Sequence, residues 1–156
     1  MSYMDTIVVE KPAIIIDIGH AYTKCGFAGD HGPHSIISSK VSHEINRNQP
    51  IKVYDYKALI KYLSDETSSD FRRKESEVLR EMLIEFLYRI YYKLLNTNAR
   101  ERKVVIVESI LTPSFFRKTL ADVLFKNFQA VSVLFIPSHL ASLYTLGKSF
   151  DSFNSK

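Results

Sequence analysis

The stretch "IIIDIGHAYTKCGFAGDHGP", residues 14–33, decides how the rest of the chain is read. With Ala13, "AIIIDI" (13–18) is a continuous apolar run of the kind found in strands buried on both faces. The run breaks at Asp17-Ile18-Gly19, and "YTKCGFAG" (22–29) resumes extended character. Gly26, Gly29 and Gly32-Pro33 supply turns, so "SII" (35–37) is expected to return as a third antiparallel strand. The domain therefore opens with a β-meander.

Outward from the meander, residues 38–50 are polar and end in proline, which marks a loop or an excursion off the core. "IKVYDYKALIKYL" (51–63) reads as a short strand followed by helix, and "SDETSSDFRRKE" (64–75) is expected to be mobile. From Ser76, "SEVLREMLIEFLYRIYYKLLN" places Glu77, Glu81, Glu85, Arg89 and Lys93 at every fourth residue of an otherwise apolar sequence. This is the pattern of a long, mostly buried helix. Glu85 and Arg89 stand in the favourable i, i+4 order, with acidic residues early and basic ones late, as the helix dipole prefers. "ARERK" (99–103) reads as a solvated turn.

"VVIVES" (104–109) is the next buried strand, and "LTPSFFRKTLADVLFKNF" (111–128) the next helix, with Thr112 as N-cap and Pro113 at the first helical position. "VSVLFI" (131–136) is a strand, and "PSHLASLYTLG" (137–147) a short helix closed by Gly147. A meander followed by β-α-β-α implies an α/β layer with a mixed sheet. The tail 148–156 loses periodicity and is expected to fray, and residues 1–12 read as an N-terminal extension. The apolar faces of the 78–95 helix and the 131–146 unit are expected to lack cover within this chain.

A chain of 156 residues that is 46% hydrophobic holds one domain with a real core, or part of a larger one. The net charge of +4 is scattered without a basic block, which argues against a nucleic-acid groove. The single cysteine, Cys25, excludes an internal disulfide and a cysteine-based zinc site, and fits a reducing compartment. "MSYMDTIVVEKP" lacks the basic start and long apolar run of a secretory signal, and no uncharged apolar stretch reaches membrane-spanning length.

Of the motifs that carry chemistry, Asp17-x-Gly19 followed by Lys24 has the frame of a phosphate-holding hairpin, in which backbone N–H groups approach an anion and lysine adds charge. The intervening "HAYT" is bulky for that task, and a tight hairpin with a solvated lysine explains the same residues equally well. The histidines His20, His31, His34, His43 and His139 show no zinc-type spacing, and His31 and His34 read as surface residues beside a turn. Ser114 and Ser138 lack a nucleophile-elbow frame, and Cys25 reads as a small strand residue. The aromatics of "YRIYYK" (88–93) cover too much of a helix for one buried stripe, so Tyr88, Tyr91 and Tyr92 are expected to form a partner surface.

"DIGHAYTKCGFAGDHGP" resembles the first phosphate-binding hairpin of the actin family, with "KCGFAGD" (24–30) as its most specific part. Residues 104–147 resemble the actin-related protein 10 branch (also numbered 11), the divergent subunit at the pointed end of dynactin. The likeness runs over about 12–147, loosely across 38–75, where the small subdomain is replaced by a divergent, partly mobile insertion. It implies an actin-like, ribonuclease H-like mixed sheet with flanking helices, present here as the incomplete N-terminal part of the fold. It also implies that Asp17, Gly19 and Lys24 face nucleotide phosphates and a divalent ion, with His20 and Ala21 replacing a hydroxyl residue and a glycine. Ser138 stands where the family places a water-orienting glutamine, so the resemblance implies a weakened site and no catalysis. A cytoplasmic, cytoskeletal subunit is implied, touching actin-related filament subunits and pointed-end adaptors and, indirectly, dynein. ATP with Mg is implied only for a full-length chain, and no metal is expected from the histidines. The alternative is an ATP-binding or hydrolysing member of the actin, sugar-kinase and chaperone ATPase group.

Overall fold

The computed structural model describes residues 11–42, 50–55 and 71–151, with the side chains of 71–74 and 145–151 left aside. Expectations for residues 1–10, for the helix after 55, for 64–70 and for the last five residues lie outside the described ones. Strands β1 (Ile14–Ile18), β2 (Tyr22–Phe27) and β3 (Ser35–Ser38) form the antiparallel meander. On the other side of β1 lies β6 (Lys103–Glu108), parallel to it, and beyond that β7 (Ser132–Pro137), parallel to β6. The sheet order is β3-β2-β1-β6-β7, a mixed sheet with β1 at its centre. The polar stretch after β3 contributes a small separate pair, β4 (Lys40–Val41) with β5 (Ile51–Lys52).

Among the described residues three α-helices accompany the sheet: α1 (Phe71–Tyr88), α2 (Ser114–Lys126) and α3 (Ser138–Asp151). One hydrophobic core joins Ile14, Ile16, Val104 and Ile106 of the sheet with the apolar faces of α1 and α2. The 78–95 helix is therefore covered within this chain, contrary to expectation. The opposite sheet face is more open: Ile15 and Asp17 are only half-buried, so β1 is not enclosed on both sides as its apolar run suggests. Leu134 of β7 and Leu140, Leu143 and Tyr144 of α3 are exposed, as expected for the 131–146 unit. No helix among the described residues is long and apolar enough to cross a membrane.

Several boundaries differ from the sequence reading, each for a local reason. Helix α1 already covers Phe71–Glu75, because Arg, Lys and Glu favour helix without any apolar period to announce it. Its first turn carries no acidic residue, so the dipole argument fails there. Pro113 is the N-cap of α2 in extended conformation (φ −62°, ψ 139°), with Ser114 first in the helix and no side-chain cap from Thr112 or any other residue. Helix α3 runs through Gly147 to Asp151, since one interior glycine costs only about 1 kcal/mol.

Beyond Tyr88 the chain continues as a π-helical turn, Arg89–Leu94. The N–H of Leu95 donates to the Ile90 carbonyl at 2.9 Å, five residues back. Buried pairs recur at exact four-residue spacing, Leu79 with Val78, Met82 with Leu83, Phe86 with Leu87, and Ile90 with Tyr91. In an α-helix of 3.6 residues per turn such a period drifts by about 40° at each step. The wider turn counters that drift and keeps Ile90 and Tyr91 inside. Tyr91 is thus fully buried and stacks on Phe128 at 5.2 Å between centroids, which removes it from any partner surface; Tyr88 and Tyr92 remain exposed.

The Tyr91 hydroxyl has no hydrogen-bond partner among the described residues, and burial pushes its phenol well above the ordinary value. Because the folded state favours the neutral phenol, the unfolded chain loses its proton first as pH rises. This contribution is intact below about 10 and is lost above it. Tyr91→Phe is expected to leave stability unchanged or raise it by about 1 kcal/mol in denaturant titrations, and to flatten the alkaline decline. Tyr91→Ala should cost about 3–5 kcal/mol.

Candidate functional site

Alternation along β1 and β2 places the candidate residues. Ile14, Ile16 and Ile18 point into the core, so Asp17 points to the open face, and the antiparallel register sets it directly opposite Lys24. Their side chains form an ion pair at 3.6 Å with both partners partly exposed. Such a cross-strand pair contributes at most about 1 kcal/mol, which leaves both charges available to a ligand. Beside the pair lies a recess of about 400 Å³, bordered also by Val107 of β6 and by Ser138, Ala141 and Ser142 of α3. The fold thus brings Asp17, Lys24 and Ser138 to one recess.

Gly19 and His20 instead line a second recess of about 260 Å³ with Tyr54, Ser109, Thr112 and Pro113. The Gly19 N–H donates to the Tyr22 carbonyl at 3.1 Å, so it closes the turn. A Cβ at Gly19 would meet the same carbonyl oxygen at 2.5 Å, and this close approach is why the position takes glycine. Ala21 keeps ordinary backbone: among the described non-glycine residues, positive φ occurs at Asn96 and Gln129.

The turn is fastened from outside by residues the sequence did not single out. Ser39 is fully buried; its Oγ donates to the Gly19 carbonyl at 2.7 Å and shares a hydrogen bond of 2.8 Å with Thr23 Oγ1. The Ser39 N–H donates to the Ala21 carbonyl at 3.0 Å, and the Tyr54 hydroxyl to the Ile18 carbonyl at 2.9 Å. Burial pushes the Tyr54 phenol up, and its ring stacks on Phe116 at 4.7 Å. Lys52 Nζ lies 2.9 Å from His20 Nε2, which sets the lysine beside the turn. Ser39, Lys52 and Tyr54 lie 16 or more residues from their partners, and a polar stretch carries no signal of such pairing.

At the start of α2, the buried carboxylate of Glu108 receives the Arg117 Nε–H at 3.1 Å and a second guanidinium N–H. Arg117 also covers the ring of Phe135 at 5.6 Å, which ties β6, α2 and β7 together. Cys25 is buried, and burial pushes its thiol up, away from the reactive thiolate. His31, His34 and His139 are exposed, and among the described residues no three His, Cys, Asp or Glu side chains group as a metal site. Asp17 and Lys24 are a fitting pair for a phosphate and its cation, whereas the N–H of Gly19 is already used in the turn.

Comparison with known proteins adds the family context. The family model for actin matches residues 8–151. Actin-related protein 10 of Dictyostelium discoideum is 28% identical, covering 87% of this chain and 30% of that protein. Actin-like protein 7B of Homo sapiens is 27% identical, covering 88% of this chain and 34% of that protein. The chain spans about a third of the length of these curated relatives.

Replacing Ser39 by Ala removes both Oγ contacts and leaves the Thr23 hydroxyl and Gly19 carbonyl without them. The expected loss is about 1–3 kcal/mol, with faster amide hydrogen exchange at Gly19 and Ser39 than in the unaltered chain. Unchanged exchange at both amides would show that the strap does not hold the turn.

Proposed function

This chain belongs to the actin family, matched over residues 8–151, and on that premise we propose that it is a non-catalytic structural subunit rather than an ATPase. The observation that carries the reading is what α3 offers the recess beside Asp17 and Lys24: two serines and an alanine. None of these is long enough to orient an attacking water at a phosphate held by Lys24. The closed turn agrees with this, since the Gly19 N–H and the carbonyls of Gly19 and Ala21 are engaged by Tyr22 and Ser39. Asp17 and Lys24 are the residues that would meet the cation and phosphates of Mg-ATP, so nucleotide can be held as a structural ligand without being turned over.

Similarity to actin-related protein 10 supports a finer reading, in which the chain caps the pointed end of an actin-related filament within dynactin. The partners would be actin-related filament subunits and pointed-end adaptors in the cytoplasm, with a contribution to dynein-driven microtubule transport. Head-to-tail filaments stop when one face of a subunit is altered. Ser39 and Tyr54 are used here to fasten the chain's own hairpin, which is consistent with such an altered face.

Affinity capture of the tagged chain from its own cells, with partners identified by mass spectrometry, tests this reading. Recovery of actin-related filament subunits and adaptors is the expected result. ATP hydrolysis should stay at background and be the same in Lys24→Ala. Recovery of chaperones alone, or ATP turnover that Lys24→Ala abolishes, would overturn the assignment.

A further inference from the structure

The exposed side of the π-helical turn carries a compact set of four residues. Tyr88, Arg89, Tyr92 and Lys93 are all exposed, opposite the buried pairs Phe86 with Leu87 and Ile90 with Tyr91. The rings of Tyr88 and Tyr92 stand 4.9 Å apart between centroids, and Tyr92 is backed by the buried Phe128 at 6.4 Å. Two turns earlier in the same row, Arg80 bonds Asn127 just after α2, so the row holding the tyrosines borders the end of that helix. Arg89 and Lys93 occupy the outer row.

Neither cation is matched among the described residues. The sequence spacing predicts an ion pair between Glu85 and Arg89, yet among the described residues no carboxylate lies within 4 Å of Arg89 or of Lys93. Glu85 and Arg89 are both exposed, where an i, i+4 pair is worth only about 0.3–0.5 kcal/mol. The tyrosines remain 50% and 42% exposed although mutual packing already limits their rotamers, so a ligand would meet pre-ordered rings at small entropic cost.

We propose that Tyr88, Arg89, Tyr92 and Lys93 form a docking surface for a short acidic segment of a partner protein. Its carboxylates pair with Arg89 and Lys93, and an apolar side chain lies against Tyr88 and Tyr92. Charge pattern selects this occupant over a nucleic acid: Glu77, Glu81 and Glu85 continue the same stripe toward the start of α1, so a polyanion laid along the helix meets like charge. A short acidic segment ends before them. The surface is distinct from the recess at Asp17 and goes beyond the assembly reading; a chain that turned over ATP would still present it.

Fluorescence anisotropy of the full chain with a labelled peptide of alternating Glu and Leu tests the assignment. Binding should weaken with added salt and fall about tenfold or more in Arg89→Glu/Lys93→Glu, and likewise in Tyr88→Ser/Tyr92→Ser. Circular dichroism checks that both variants fold, and the milder Lys93→Gln, expected to weaken binding less, serves where the double variants do not. The proposal is overturned if the peptide does not bind, if binding ignores these substitutions, or if a single-stranded oligonucleotide binds as tightly through the same residues.

Discussion

Pairing of β1 on both sides is the constraint from which the remaining geometry follows. Antiparallel β2 and parallel β6 hold every residue from Ile14 to Asp17 in register, so the strand cannot slip without turning three isoleucines out of the core. That register alone sends Asp17 to the open face, sets it opposite Lys24, and brings Val107 alongside. Candidate chemistry at this site is thus a by-product of burying Ile14, Ile16 and Ile18. Any change that loosens the core around them displaces the charged pair as well.

The turn at the end of β1 is the second determinant. A glycine is needed at position 19 because the Tyr22 carbonyl comes too near for any side chain, and Ser39 then fixes the closed turn from behind. In a hairpin meant to grip phosphate, N–H groups face outward; here one closes the turn, and the nearby cationic character comes from Lys24 on one side and Lys52 on the other. The candidate residues are thus divided between two recesses.

The helical layer shows how a surface and a core are specified together. A four-residue period sorts α1 and its π-helical continuation into buried pairs and exposed pairs, and the change in winding at Arg89 keeps that sorting intact over the last turns. Among the described residues no carboxylate pairs with Arg89, and the proposed docking surface draws on that charge. A local departure from α-helical geometry therefore keeps the core face packed while Tyr88, Arg89, Tyr92 and Lys93 stay exposed.

Local pattern was sufficient for the meander and the β-α-β-α order, because alternation and turn residues act between near neighbours. The charged stripe of α1 was equally legible, since its period stands in the sequence itself. Only tertiary structure decided that Tyr91 lies inside while Tyr88 and Tyr92 lie outside, since that depends on a winding change and on Phe128 from a distant segment. The same holds for Ser39, Lys52 and Tyr54 at the hairpin. Hydrogen bonds between residues far apart in the chain arise when separate elements pack, and no periodicity within either element encodes them.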